Sequence, residues 1–311
     1  MKKLVLLFCM LFSARVSFAN RVDDLKTDND VTVFLKSLDK NFSGKYAEKF
    51  IVPATEEIIS HYSVARKWNI KNWEKIDINN DGRTDLLVVA QWGSYMRNYV
   101  AIDNGDNTFQ LININYSADN ICEMISSIKD GNDRLILFHV EKPIPEKNKP
   151  KKLWGTYTFE TDTLIYKFNT FIERNKTPSH YKIDSITFST GPCLGTCVIM
   201  EIKIGPTGSV TYIGYQFTMK TGTFKCNVKK EDLADIYALI NYMSIKNLKN
   251  NYAVAQTDEP TFTVRVKFSD GSVKEISDYG EMGTFGLRTL YPMFFNLTEN
   301  QKWIAVKHKH R

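Results

Sequence analysis

The chain has 311 residues, of which 41 are lysine or arginine and 35 are aspartate or glutamate, for a formal net charge of +6. Three of the basic residues and none of the acidic ones lie in the first 19 positions, so the rest of the chain is close to neutral. This balance excludes the strongly basic character of nucleic-acid-binding proteins, and the length is sufficient for one large domain or two.

The N-terminus has the three zones of a secretory signal peptide. Lys2 and Lys3 are followed by the apolar run 4–12 and then by the small residues of Ser17-Phe18-Ala19. The pattern predicts cleavage before Asn20 and a bacterial protein that is periplasmic or secreted. No later apolar run approaches the roughly 20 residues of a transmembrane helix, so no membrane span is expected.

Residues 20–180 are predicted to form a first domain that begins with helices. Apolar residues at helical spacing predict a helix over 31–38, with Asp28 or Asp30 as its cap. A second helix is expected from about Thr55 to Lys67.

Strands are predicted from Trp73 to about Glu173. The β-branched run Leu86–Ala90 disfavours a helix, and turn residues at 104–105 and 130–131 separate further strands. The stretch 142–152, rich in lysine and proline, is expected to be a long exposed loop.

Residues 181–311 are predicted to form a second, α+β domain with two β-hairpins, two helices and a basic tail. Alternating apolar residues over 198–204 and over 262–268 begin the two hairpins. Helical spacing predicts a helix over 229–243 and a last helix that Pro292 kinks or restarts. The expected fold class is therefore α+β, with mostly antiparallel sheets.

The segment 77–85 has the ligand spacing of a calcium-binding loop. Side-chain oxygens recur at its positions 1, 3, 5 and 9, which are Asp77, Asn79, Asp81 and Asp85. Arg83 offers a backbone carbonyl at position 7, and Gly82 allows the sharp turn at position 6. Water, Asp103 or Asp106 is expected to complete the shell of a structural Ca²⁺. The alternative is a metal-free polar turn between two strands.

Residues 73–112 resemble the calcium loops of integrin-like FG-GAP and VCBS repeats, in which Asp-x-Asp-x-Asp-Gly-x-x-Asp leads into a strand. The segment 103–109 resembles the next strand pair of such repeats. The resemblance implies one structural calcium ion. Only one complete copy is present, whereas a propeller needs several blades, and Val88 stands where an EF-hand has its bidentate glutamate.

Four cysteines follow the predicted signal peptide, an even number that is typical of two disulfides in an exported protein: Cys122, Cys193, Cys197 and Cys226. Cys193 and Cys197 are expected to be bridged. A redox role is the alternative, but thiol–disulfide enzymes favour two residues between the cysteines, at the start of a helix. Cys122 and Cys226 would then be available for a second bridge.

The motif Gly191-Pro-Cys-Leu-Gly-Thr-Cys197, of the form Gly-x-Cys-x-Gly-x-Cys, is followed by a predicted hairpin. This arrangement resembles an uncharacterised exported bacterial domain family whose signature is Cys-aromatic-Gly-x-Cys-Pro. The resemblance extends over about 185–300, through Asp258-Glu-Pro260. Val198 stands where the family usually has proline, and Met200 where it often has tyrosine. The resemblance implies no activity.

Sequence motifs for catalysis are lacking. The chain contains no nucleophile elbow, zinc-protease motif, phosphate loop or dinucleotide fingerprint. His139 lies within an apolar strand and is expected to be a packed core residue. Glu281 and Asp258 are loop carboxylates, which by themselves do not indicate a hydrolase.

The favoured hypothesis is a non-catalytic binding or envelope-associated protein with a structural calcium ion and an unknown protein or glycan partner. One alternative is a hydrolase that acts on envelope or extracellular polymers. The other is a carbohydrate-binding module, suggested by Trp92, Tyr95 and Tyr99 beside the acidic loop. Exposed aromatic side chains along a groove would favour the module, and two carboxylates within about 10 Å in a cleft would favour the hydrolase.

Overall fold

The computed structural model describes residues 20–43, 49–116, 120–143 and 157–306. The predicted signal peptide, most of the predicted 142–152 loop and the basic tail lie outside the described residues. Helices account for 22% and strands for 42%, so the fold is α+β and rich in antiparallel sheet, as predicted.

The first sheet has five antiparallel strands in the order β1-β3-β4-β5, and β2 also pairs with β3. The strands are β1 Phe50–Ile51, β2 Trp73–Ile76, β3 Asp85–Trp92, β4 Tyr95–Asp103 and β5 Phe109–Asn113. Both faces of β3 are buried, because Leu87 and Val89 belong to one core while Leu86, Val88 and Ala90 belong to another. A strand buried on both faces is apolar at consecutive positions, which explains the run 86–90.

The second sheet is a four-stranded antiparallel meander. Its strands are β6 Cys122–Asp130, β7 Asp133–Pro143, β8 Tyr157–Lys167 and β9 Thr170–Glu173. Met124, Phe138 and Leu164 of this sheet pack in the same core as Leu87 and Val89. The first two sheets are therefore held together by one shared hydrophobic core.

The third sheet has eight strands, in the order β14-β16-β15-β10-β11-β12-β13-β17. The strands are β10 Ile183–Thr190, β11 Ile199–Ile204, β12 Ser209–Gln216, β13 Gly222–Asn227, β14 Asn251–Ala253, β15 Thr261–Phe268, β16 Val273–Tyr279 and β17 Ile304–Ala305. The two predicted hairpins are present as β11–β12 and β15–β16. The division of the chain into domains at residue 180 remains a prediction.

Five α-helices occur among the described residues. They are α1 Asp28–Leu38, α2 Thr55–His61, α3 Ser63–Trp68, α4 Lys230–Tyr242 and α5 Phe285–Asn300. The helix α1 packs on one face of the first sheet, and α2 and α3 contribute to the core shared with the second sheet. Apolar side chains of α4 and α5 pack against the third sheet. Among all the described residues, no helix is long and apolar enough to cross a membrane.

Three helix details differ from the prediction. The cap of α1 is Thr27, whose hydroxyl accepts a hydrogen bond from the Asp30 amide, while the Asp30 carboxylate accepts one from the Thr27 amide. The single helix predicted over 55–67 is divided at Tyr62, which has an extended backbone. The last helix does not restart at Pro292, which lies inside α5.

The N-terminus of α5 joins the third sheet to the second. The amides of Phe285 and Gly286 donate to the two carboxylate oxygens of Glu173 at 2.6 and 3.0 Å. The Thr284 hydroxyl accepts a hydrogen bond from the Leu287 amide at 3.2 Å. Helix N-termini leave their first amides without partners inside the helix, so Glu173 supplies acceptors from another sheet. Burial raises the pKa of Glu173, and the two amides oppose that shift.

Aromatic packing reinforces this junction. The Phe285 ring lies 5.3 Å from the Tyr116 ring and 5.2 Å from the Phe138 ring, inside the core of the first two sheets. The Tyr116 hydroxyl lies 2.8 Å from the carbonyl of Met282 and 2.6 Å from that of Gly283. The start of α5 is therefore part of the N-terminal core.

We expect the Phe285→Ala substitution to lower the free energy of unfolding by about 3–5 kcal/mol, because it leaves a cavity where both halves of the chain meet. Denaturant unfolding monitored by circular dichroism measures this loss. The control is Asn296→Ala on the exposed side of the same helix, which should change stability by no more than about 0.5 kcal/mol. Equal effects of the two substitutions would contradict the packing described here.

Candidate functional site

The acidic loop folds around its own amide groups. A carboxylate oxygen of Asp77 lies 3.0 Å from the Asp81 amide nitrogen, and the side-chain oxygen of Asn79 lies 3.1 Å from the same nitrogen. The other Asp77 oxygen accepts from the Gly82 amide at 3.0 Å, and Asp81 accepts from the Arg83 amide at 2.9 Å. Three of the predicted ligand side chains are thus gathered on one turn, at which Gly82 has a φ of 84°.

The Arg83 side chain lies across this turn. Its guanidinium pairs with the Asp81 carboxylate, and its Nε donates to the Asp103 carbonyl at 3.0 Å. The carboxylates of Asp103 and Asp106 accept hydrogen bonds from amides of their own loop at 2.7 and 3.0 Å. A cation that binds Asp81 must therefore compete with Arg83.

Asp85 is fully buried and has a structural role. Its two oxygens accept hydrogen bonds from the amides of Ile78 and Asp103, both at 2.9 Å, so it ties the acidic loop to the end of β4. Burial raises the pKa of Asp85 to about 6. Among the described residues, no group of three or more histidine, cysteine, aspartate or glutamate side chains is arranged to hold a metal ion.

The three aromatic residues of the predicted carbohydrate module have different environments. Tyr99 is buried, and Trp92 is half-buried, with its ring edge-on to Phe42 and Phe50 at 5.4 and 6.2 Å. Both belong to the core beneath α1. Only Tyr95 of the three is exposed, at 66%, at the start of β4 beside the turn that joins β3 to β4.

Tyr95 lies at a groove of about 710 Å³ between the first sheet, the start of the second sheet and α5. The aromatic and guanidinium side chains of its lining are Tyr62, Tyr95, Tyr116, Arg97 and Arg288. Four carboxamides, Asn113, Asn115, Asn120 and Gln256, and the carboxylate of Glu123 are also part of the lining. Such side chains offer both donors and acceptors to a polar ligand.

The charged groups of the groove are already positioned by protein contacts. The Arg97 guanidinium lies 5.1 Å from the Tyr95 ring centre, and that of Arg288 lies 5.4 Å from the Tyr116 ring centre. Arg288 also donates to the carbonyls of Asn115 and Tyr116 at 3.1 and 3.3 Å.

Glu123 is the acidic member of this lining and is buried. Its carboxylate accepts hydrogen bonds from the Tyr116 amide at 2.7 Å and from the Asn120 side chain. With two guanidinium groups and one carboxylate, the described lining has an excess of positive charge.

Tyr95 was predicted from the sequence as a candidate binding residue, whereas the other residues of the groove were not. Gln256 and Arg288 come from the C-terminal part of the chain, and no local pattern connects them with β4 or β5. Tyr116 and Met282 are 166 positions apart in the chain, yet they are hydrogen-bonded. The only local signal was the aromatic residue beside the turn at Gly93.

Cys193 and Cys197 form a disulfide, as predicted, with Cα atoms 5.8 Å apart. The second bridge, between Cys122 and Cys226, is absent: both thiols are free. Cys122 is buried in the core of the first two sheets, whereas Cys226 packs against the core of the third. Burial raises the pKa of Cys122 to about 12 and also raises that of Cys226, so neither thiol is activated as a nucleophile.

The loop carboxylates Asp258 and Glu281 are both exposed and have positive φ angles of 73° and 55°. A buried carboxylate, Asp278, has the structural role in this region. It accepts hydrogen bonds from two amides of the turn before α5, at 2.6 and 2.8 Å, and from the Tyr291 hydroxyl at 2.7 Å. Asp278 lies on the buried face of β16, two residues after Ile276, and was not predicted because an aspartate at such a position is usually taken as exposed.

His139 is a core residue, as predicted, and is only 1% exposed. Its ring nitrogens lie 2.9 Å from the hydroxyl oxygens of Ser126 and Thr161, and its ring stacks on Trp68 at 4.2 Å. Burial, with a smaller contribution from the charge of Lys67, lowers the pKa of His139 to about 4.

This histidine should make stability depend on pH. The unfolded chain takes up the His139 proton below about pH 6.5, whereas the folded chain does so only near pH 4, so stability is lost as the pH falls through this window. The loss amounts to about 3 kcal/mol on the usual conversion of pKa shifts.

Denaturant unfolding of the wild type and of His139→Gln, measured from pH 7 to pH 4, isolates this effect because the other titrating groups are common to both proteins. We expect the variant to lose less stability than the wild type. The control His61→Gln, at an exposed position of α2, should follow the wild-type profile. Parallel profiles for all three proteins would contradict a neutral buried His139.

Residues 184–298 match the family model described as a domain of unknown function (DUF6438). The match begins in β10 and ends in α5, so it covers the third sheet from β10 to β16 and both of its helices. It agrees with the resemblance to an uncharacterised domain family over about 185–300. No curated protein matches the chain.

Proposed function

We propose that the protein is an exported, non-catalytic binding protein of the bacterial envelope, and that the groove beside Tyr95 takes a carbohydrate ligand. Export rests on the signal-peptide pattern of residues 1–19. The observation that carries the binding proposal is the exposed Tyr95 ring, with Arg97 5.1 Å from it, at the edge of a groove lined by carboxamides.

The groove has the chemistry that a sugar requires. A sugar ring presents C–H groups on its face and hydroxyls around its edge, so it packs on an aromatic ring while carboxamide and guanidinium groups bond its hydroxyls. Gln256 offers both a donor and an acceptor, and Asn113 and Arg97 add donors. Asn115 is bonded to Asn98 and Asn113 and shapes the wall of the groove. The excess of positive charge favours sugars that carry a carboxylate or phosphate.

Binding without cleavage is preferred over the hydrolase alternative. Most glycosidases use a pair of carboxyl groups that flank the scissile bond. The described lining of the groove has one carboxylate, Glu123, which is engaged by the Tyr116 amide and the Asn120 side chain.

We expect glycan-array screening of the chain from Asn20 onward to identify a bound carbohydrate, and titration calorimetry to measure its affinity. Tyr95→Ala should weaken that affinity at least tenfold, because it removes the stacking face. Tyr215→Ala, at another exposed tyrosine far along the chain, is the control and should bind as the wild type does. Glycan binding that survives Tyr95→Ala, or no glycan binding at all, would refute the proposal.

We also propose that the acidic loop binds Ca²⁺. The fit rests on the oxygens of Asp77 and Asn79, which lie within 3.1 Å of one amide nitrogen, and on Asp81, which lies on the same turn. These three side chains and the Arg83 carbonyl would hold the ion, with water completing the six to eight ligands that calcium prefers. Asp85, bonded to two amides, would hold the loop in shape. The ion would supply charge neutralisation and stability.

Calcium at a hundredfold excess over its dissociation constant should stabilise the fold by about 2.7 kcal/mol. Chelator should therefore lower the melting temperature by several degrees, and Asp81→Ala should abolish this difference. Arg83→Gln should strengthen calcium binding, since it removes the competing guanidinium.

Differential scanning calorimetry with and without chelator measures these effects. The control Asp24→Ala, at an exposed carboxylate outside the loop, should keep the wild-type response. Coincident melting curves for the wild type would exclude a structural calcium ion.

A further inference from the structure

Four large apolar side chains are exposed at one end of the third sheet. Leu194 is 81% exposed, Tyr215 51%, Phe217 55% and Met219 78%. Leu194 lies in the turn 191–198 between β10 and β11, Phe217 and Met219 lie in the turn 217–221 between β12 and β13, and Tyr215 lies at the end of β12. The pairing of Ile199 with Gln216 places these turns at the same end of the sheet. Clustered exposure of this kind marks an interaction surface.

Both turns are held in place by specific contacts. The Cys193–Cys197 disulfide closes the first, and the Leu194 amide donates to the Asp258 carbonyl at 3.1 Å. The Lys220 carbonyl of the second turn accepts from the Tyr212 hydroxyl at 3.1 Å. This end of the sheet is therefore preorganised.

The second turn also folds directly over β12. A Cβ added to Gly214 would lie only 2.0 Å from the Lys220 carbonyl oxygen, so glycine is needed at that position. Phe217 has a φ of 54°, which is strained for a bulky residue. Because the strained residue exposes its apolar ring to solvent, the strain is not offset by burial of that ring. Strain of this kind is typical of residues with a functional role.

We propose that this end of the sheet inserts into a lipid surface, with Leu194, Phe217 and Met219 in the acyl region and Tyr215 at the headgroup level. Apolar side chains bind the acyl boundary in proportion to the area they bury, and tyrosine favours the membrane–water interface. Neither turn contains an acidic residue, and the exposed Lys220 beside Met219 complements anionic headgroups.

The size of the patch favours lipid over a second copy of the chain. From the areas of large apolar side chains, the four residues expose roughly 500 Å². A standard protein interface buries about 800 Å² on each partner. Turns that project from the protein can insert into a lipid surface, because a fluid surface needs no cavity of matching shape.

The proposal is tested by co-sedimentation of the chain from Asn20 onward with vesicles of phosphatidylethanolamine and phosphatidylglycerol. The wild type should sediment with the vesicles. The double substitution Phe217→Ser with Met219→Ser should weaken binding at least tenfold, with an unchanged melting temperature. Tyr95→Ala, in the carbohydrate groove, should bind vesicles as the wild type does, which separates this proposal from the proposed function.

A second measurement does not depend on loss of binding. In a Phe217→Trp variant, lipids brominated on their acyl chains should quench a larger fraction of the fluorescence than they do in the wild type. Equal quenching, or vesicle binding unaffected by the double substitution, would overturn the proposal. A dimer in sedimentation equilibrium that the double substitution dissociates, without vesicle binding, would assign the surface to a second copy instead.

Discussion

The carboxylate of Glu173 at the N-terminus of α5 is the contact on which the arrangement of the described residues depends. Burying helix amides that have no acceptor costs free energy. The buried start of α5 therefore depends on the two acceptor oxygens of the Glu173 carboxylate. Phe285 then lies in the core of the first two sheets, and Arg288 reaches the carbonyls of Asn115 and Tyr116. The groove beside Tyr95 exists because this junction brings α5 to the ends of β4 and β5.

Local physics made much of the fold predictable. The continuous apolar run 86–90 and the strict alternation over 262–268 follow directly from burial on two faces and on one face of a sheet. The positions at which helices are capped or interrupted were harder to predict from the sequence. Thr27 caps α1 through a reciprocal bond with Asp30. The helical pattern is interrupted at Tyr62, next to Ser63, whose hydroxyl is bonded to Glu141 of β7. The second contact is tertiary, so no window of sequence contains it.

The candidate sites also differ in how far the sequence could predict them. The disulfide and the acidic loop are local in sequence, and their residues were identified from spacing alone. Spacing did not show that Arg83 would pair with Asp81, or that Asp85 would be committed to two backbone amides. The groove was not predictable, because Tyr95, Glu123, Gln256 and Arg288 come from four distant segments. Whether Cys122 pairs with Cys226 was left open for a related reason: an even count of cysteines does not reveal that the two thiols lie in different cores.

Amide hydrogen exchange at Phe285 and Gly286 tests the Glu173 junction most directly. If Glu173 caps α5 in a buried junction, these two amides exchange only through global unfolding in the wild type, and they exchange much faster in Glu173→Ala while Leu287 stays protected by Thr284. Exchange of both amides near the unfolded rate in the wild type would show that the helix end is open to water. That result would contradict the junction and, with it, the groove.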